Sequence, residues 1–168
     1  MSPELSIITV NYRKVDLLLA CLDSVYRTAA GLSLEVIVVD NASADDTATI
    51  LPRRFPAVRL ILNPANVGFA RATNQGMAAA AGSYLLWLNP DTVVQEGALQ
   101  ELLVFLRAHP EAAAVGPQMV GPDGNLQYSC RSFPSLATGF FTRYSLKGRA
   151  ILSLVVDEVN DQTSVLIR

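Results

Sequence analysis

The 168 residues predict an α/β protein with a mostly parallel sheet flanked by helices. Short β-rich runs alternate four times with helical patterns, which implies right-handed crossovers and one shared sheet. Each run ends in a cluster of polar residues. One run, Tyr84-Leu85-Leu86-Trp87-Leu88, is apolar without a break and ends at Asn89-Pro90-Asp91. That pattern predicts a strand buried on both faces in the middle of the sheet. Pro90 cannot donate to a ladder and biases Asn89 away from helix, so the strand should stop at Asn89.

The chain opens with a strand over residues 5–10, followed by Asn11-Tyr12. Leu18, Leu22, Val25 and Ala29 then fall on one helical stripe, which Gly31 ends. A second strand over 34–39 runs into Asp40-Asn41-Ala42-Ser43. Ser43 reads as an N-cap, with Asp45 and Asp46 in a first turn that favours anions. A third strand over 58–62 is followed by a loop containing Asn66 and Gly68, then an alanine-rich helix over 69–81 with Gly82 as its stop. After the central strand, a helix over 95–108 presents Leu99, Leu102, Leu103 and Leu106, and His109 reads as its C-terminal cap. Residues 112–120 read as a strand, 121–125 as a turn, and 126–133 as its hairpin partner. The basic-aromatic stretch Phe140 to Arg149 reads as a solvated or partly packed helix, and residues 151–156 as one more strand.

Composition narrows the function. A hydrophobic content of 51% predicts a globular core, and a formal net charge of −2 argues against nucleic acid as a partner. Two cysteines and one histidine exclude a disulfide framework and a multi-histidine zinc site. No apolar run approaches the ~20 residues that span a bilayer, and no basic-then-apolar leader opens the chain. The expected location is cytoplasmic, with peripheral contact at the inner face of the membrane left open.

Crossovers return the chain to one rim, where open α/β sheets bind ligands. Thr9 to Tyr12, Asp40-Asn41, Asn66 to Asn74 and Asn89-Pro90-Asp91 collect there. An aromatic, two separate carboxylates, Arg71 and several amides suit a nucleotide carrying a metal-bound diphosphate. The Tyr12 ring can pack on a base, and Asp40 can accept from a base N–H. Asp91 can hold a divalent cation, Mg²⁺ or Mn²⁺, which needs one or two carboxylates besides phosphate oxygens. Neither a G-x-G-x-x-G turn nor a Walker A loop is present, so no glycine cradle holds the phosphates. Asn41 and Ser43 read as helix-entry residues, and Asn66 and Gly68 as loop formers.

The segments LSIITVNY, EVIVVDNAS, NPANVGFARATNQGMAAAAGSYLLWLNPDT and GPQMVGPDGNLQYSCRSFPS resemble family 2 glycosyltransferases of the GT-A fold, nearest their rhamnosyltransferase-like branch. The resemblance covers roughly residues 5–135. It implies inverting transfer of a sugar from a nucleoside diphosphate donor, dTDP-rhamnose first and UDP-sugars second. The acceptor would be a saccharide or lipid-linked, in cell-surface polysaccharide synthesis. By position it implies that Thr9, Asn11, Tyr12 and Asp40 line the nucleoside and that Arg71 and Asn74 lie near the ribose and diphosphate. Asn89-Pro90-Asp91 stands where the family has Asp-x-Asp, with Asn89 on the donor and Asp91 on the metal. Asn89 leaves that motif one charge short.

An inverting transferase also needs a base for the acceptor hydroxyl. The resembled family carries it beyond the hairpin, before a Gly-Ala pair that this tail lacks; Asp161, or Glu158, is the candidate here. The division expected is a donor domain over 1–135 and an incomplete acceptor-side region over 136–168. The expectation is donor binding with little transfer, and the alternative is a nucleotide-sugar-binding module without activity.

Overall fold

The computed structural model describes residues 2–121, 125–127 and 166–167. Its contacts divide the chain into residues 1–116 with 164–168, and residues 117–163, whereas the sequence reading divides it after 135. In the first unit a six-stranded sheet runs in the order β3-β2-β1-β4-β8-β5. These strands are β1 (Leu5–Asn11), β2 (Leu34–Asp40), β3 (Arg59–Leu62), β4 (Tyr84–Trp87), β5 (Ala114–Val115) and β8 (Leu166–Ile167). The helices are α1 (Val15–Thr28), α2 (Thr47–Arg54), α3 (Phe69–Ala79) and α4 (Ala98–Ala108). The first four strands are parallel, and β8 is antiparallel to both β4 and β5. In the second unit, β6 (Met119–Val120) and β7 (Leu126–Gln127) pair antiparallel, with the Gly121 N–H on the Asn125 carbonyl at 2.8 Å.

The innermost strand of the parallel set is β1, buried at all seven positions. Leu5 and Ile7 face one layer with Val36, Val38 and Leu86, packed on Leu18, Leu22 and Val25 of α1, Leu51 of α2 and Leu99, Leu102 and Leu106 of α4. Val10 and Val39 face the other side, under Ala72 of α3. Each fully buried aliphatic side chain contributes about 1.5–3 kcal/mol. Gly76 lets α3 settle on the sheet, since a Cβ there would collide with Ile8.

Five local expectations change. In β4 only Leu86 is buried; Leu88, just beyond it, is too, but Trp87 is 36% exposed beside the Phe69 ring at 5.0 Å. An unbroken apolar run thus marks one covered face here, because no helix other than α3 packs on the far side among the described residues. The third helix ends at Ala79, and Ala80 is extended. Gly82 is instead a point of close approach, where a Cβ would stand 2.7 Å from the Ser6 nitrogen. The fourth helix starts at Ala98, because Gly97 before it is left-handed (φ 79°). The second helix starts at Thr47 rather than at Ser43. The strand expected over 112–120 is split into β5 and β6 around Gly116-Pro117, where proline has no N–H to give a ladder. His109 does cap α4, with its N–H on the Phe105 carbonyl at 3.0 Å. The readings over 128–133, 140–149 and 151–156 lie outside the described residues.

Candidate functional site

Parallel pairing places the carboxyl ends of β1 to β4 on one rim, with Asn11 opposite Asp40 and Asp40 opposite Leu62. Three groups of side-chain hydrogen bonds tie the loops of that rim together. Asn11 is fully buried, and its Nδ2 faces Asp40 Oδ1 at 3.1 Å, Ser43 Oγ at 3.0 Å and Thr47 Oγ1 at 2.9 Å. Its Oδ1 has no partner among the described residues. Asp40, 6% exposed, accepts from the Ser43 N–H at 3.1 Å through Oδ2 and from the Ser43 hydroxyl through Oδ1. Ser43 Oγ in turn accepts the Arg13 N–H at 3.0 Å. Ser43 therefore joins the first two rim loops instead of capping α2; Asp45 takes the Thr47 N–H at 3.0 Å.

A second group fixes the loop after β3. Asn41 donates to Asn66 Oδ1 at 2.8 Å and accepts from Asn63 Nδ2 at 3.1 Å and the Val67 N–H at 3.0 Å. Asn63 and Gln75 exchange two amide bonds at 2.9 and 3.0 Å, and Asn66 accepts the Gly68 N–H at 2.9 Å. Asn66 does shape its loop, while Asn41 is a bridge between two loops and not a helix entry. Arg13, Ala42 and Ala44 take positive φ (57°, 62°, 53°), a left-handed conformation that costs L-residues roughly 1–2 kcal/mol each. All three lie on this rim, where such strain concentrates in functional loops.

The third group surrounds the turn after β4. Thr9, fully buried, donates its hydroxyl to the Leu88 carbonyl at 3.0 Å, and the Cys21 thiol points at the Asn89 carbonyl at 3.6 Å. Ser24 accepts the Val94 N–H at 2.9 Å, so α1 holds both ends of the turn. Burial pushes the Cys21 thiol up to about 12; the Thr92 N–H opposes this and the Asp91 charge adds to it. Asp91 itself is half exposed, with Oδ2 on Lys14 Nζ at 2.9 Å. One accessible carboxylate is a sparse donor set, yet it fits a cation whose other ligands are phosphate oxygens and water. Among the described residues no cluster of three His, Cys, Asp or Glu offers a fuller cage.

Of the residues singled out from sequence, Tyr12, Arg71, Asn74, Asn89 and Asp91 are exposed, whereas Thr9, Asn11 and Asp40 lie beneath the rim. Arg71 and Asn74 make no side-chain hydrogen bond or ion pair to other described residues, and the Tyr12 ring lies 5.1 Å from the Arg13 guanidinium. A cleft of about 550 Å³ opens between the first two rim loops, lined by Arg13 to Leu17 and Ser43 to Asp45. None of the candidate nucleotide residues lines it, so volume and chemistry do not coincide. Sequence reasoning missed Lys14, Asn63, Gln75 and the hub role of Ser43. A lysine two residues past Tyr12 was visible, but its partner is 77 positions away. Asp161 and Glu158 lie outside the described residues.

A four-stranded parallel core with its polar loops hydrogen-bonded along one rim is the architecture of GT-A nucleotide-diphospho-sugar transferases. The chain belongs to glycosyl transferase family 2, which it matches over residues 6–161. It is 35% identical over 130 residues to the N-acetylglucosaminyl-diphospho-decaprenol L-rhamnosyltransferase of Mycobacterium tuberculosis, covering 67% of this chain and 42% of that protein. It is 31% identical over 102 residues to the succinoglycan biosynthesis protein ExoO of Rhizobium meliloti, covering 60% and 29%. Among solved structures it resembles S. aureus TarS 1-349 in complex with UDP (TM-score 0.65, 21% identity, 79% of this chain and 38% of that one). It also resembles the mannosyltransferase PcManGT from Pyrobaculum calidifontis in complex with GDP-Man and Mn²⁺ (TM-score 0.62, 26% identity, 73% and 37%). The chain spans less than half the length of these relatives.

Proposed function

We propose that the protein is an inverting glycosyltransferase whose donor, held on this rim, is a nucleoside diphosphate sugar, dTDP-rhamnose first and a UDP-sugar second. The acceptor is a saccharide or lipid-linked, as in cell-surface polysaccharide synthesis. One observation carries the reading. Buried Thr9, Asn11, Asp40, Asn41 and Ser43 spend their hydrogen bonds on fixing four loops, and the same loops leave Tyr12, Asn89 and Asp91 exposed, with Arg71 and Asn74 exposed on the opening turns of α3. A rim built this way is preorganised for a ligand, which lowers the ordering cost of binding. The relative that is a rhamnosyltransferase supports the choice of sugar, and the relative holding GDP-Man and Mn²⁺ supports a nucleotide held with a divalent cation.

Tyr12 packs on the base, Arg71 and Asn74 reach the ribose and diphosphate, and Asn89 adds an uncharged contact. Asp91 would hold Mg²⁺ or Mn²⁺, which neutralises the diphosphate as it leaves. The test is UDP and dTDP binding by calorimetry to wild type and Asp91→Asn, in Mn²⁺ and in chelator. Asp91→Asn is expected to weaken binding about tenfold or more in Mn²⁺ and to change little in chelator, since among the described residues no cluster of three His, Cys, Asp or Glu could take over the cation. Equal affinities of the two proteins in Mn²⁺ would remove Asp91 from the site.

A further inference from the structure

We infer that Lys14 is the resident counter-ion of Asp91, so that a divalent cation and the donor diphosphate each bind the rim better when the other is present. The inference rests on the reading of Asp91 as the cation ligand. Its own support is the geometry of Lys14. The backbone of this residue is fixed on both sides, by the left-handed Arg13 whose N–H bonds Ser43, and by the Leu18 N–H on the Lys14 carbonyl at 2.9 Å. Its side chain, by contrast, is 48% exposed and has one partner among the described residues, the Asp91 carboxylate at 2.9 Å. Asp91 is 47% exposed and has no other charged partner there. The neighbouring Asn89 adds no charge. The Asp91 charge is therefore already paired with an ammonium in the protein alone.

A cation arriving at Asp91 has to displace that ammonium or sit against it. Either costs the small worth of an exposed ion pair unless the lysine gains a new anion. A nucleoside diphosphate supplies a second anion, and a flexible four-carbon stem with three donors can swing to it as a point charge. Binding of cation and diphosphate is then cooperative, and the coupling is reciprocal.

The experiment follows Mn²⁺ binding by the EPR signal of the free ion, with and without UDP, for wild type, Lys14→Gln, Lys14→Arg and Asp91→Asn. Lys14→Gln is expected to tighten Mn²⁺ binding in the absence of UDP about two- to fivefold, the worth of an exposed ion pair. With Mn²⁺ present it should weaken UDP by at least that factor, and Lys14→Arg should keep the wild-type pattern in both. If Lys14→Gln leaves Mn²⁺ affinity unchanged or lowers it while Asp91→Asn abolishes binding, the counter-ion role is overturned and the metal assignment stands. If Asp91→Asn binds Mn²⁺ and UDP like wild type, the assignment of Asp91 falls and takes the Lys14 role with it. Circular dichroism of each variant checks the fold, which two half-exposed side chains should not disturb.

Discussion

Cys21 shows how much a single buried side chain on α1 can report. Its thiol faces the Asn89 carbonyl and is pushed up to about 12, so at pH 8 about one molecule in ten thousand carries the reactive thiolate. In a Cys130→Ser background, iodoacetamide should label Cys21 in denaturant and not in the native protein at pH 8. Rapid native labelling would show that the turn above it opens. The folded thiol holds its proton up to about 12, while the unfolded one loses it near 9.0. The native state therefore binds more protons in that window, and stability falls as pH rises from 9 towards 12. Asn11 gives a second expectation. Asn11→Ala removes the amide that bridges Asp40, Ser43 and Thr47 and should cost about 2 kcal/mol in urea unfolding. Asn11→Asp should cost more, because it sets a second buried carboxylate against Asp40. The residue types of the rim were legible from sequence, since polar clusters follow each strand. Which of them face outward was not, because a buried amide and an exposed one are the same letter until their partners are known.

At the scale of elements, periodicity was a good guide wherever one face is covered by a helix. The leucine face of α4 is buried as its spacing requires, and so are Leu18, Leu22 and Val25 of the α1 stripe, while Ala29 lies just past the helix and is half-buried. Ends were harder, because glycine has more than one use. Gly97 interrupts a helical pattern with positive φ, whereas Gly82 has no such φ and exists for proximity. The Gly82 N–H donates to Ser6 Oγ at 2.8 Å, and the neighbouring Ala81 N–H to Glu35 Oε1 at 2.6 Å. This places the entry to β4 directly on β1. Gly82→Ala should thus cost about 1–3 kcal/mol by thermal unfolding, since its Cβ would meet the Ser6 and Leu5 backbone as well as the Ser6 hydroxyl. A neutral Gly82→Ala would mean that the β4 entry can shift without loss.

For the molecule as a whole, the alternation of strands and helices was enough to put β1 to β4 in one parallel sheet, because strand–helix–strand units cross over with one hand. It also brought the rim loops to one edge, where the proposed nucleoside site lies. Asp40 Oδ1 already accepts two hydrogen bonds and Oδ2 one. A carboxylate offers about four acceptor positions, so one remains for a base N–H. Uracil and thymine carry an N3–H there and cytosine does not, and an unpaired buried acceptor costs ~1–3 kcal/mol. UDP and dTDP should outbind CDP about tenfold in calorimetry; similar affinities would take Asp40 out of base recognition.

Beyond α4 the pattern showed a hairpin turn but not where the strands break, since two-residue strands are too short to carry a period. There β8 alone joins β5 to the sheet, and it follows only after residues 116–165. During synthesis β1 to β4 can assemble once α4 has left the ribosome, whereas β8, the described partner of the outer edge of β4, emerges only later. That nascent edge exposes unpaired backbone groups beside Trp87, the combination that invites pairing with another chain. A truncation before residue 166 would therefore leave the β4 edge without its described partner strand.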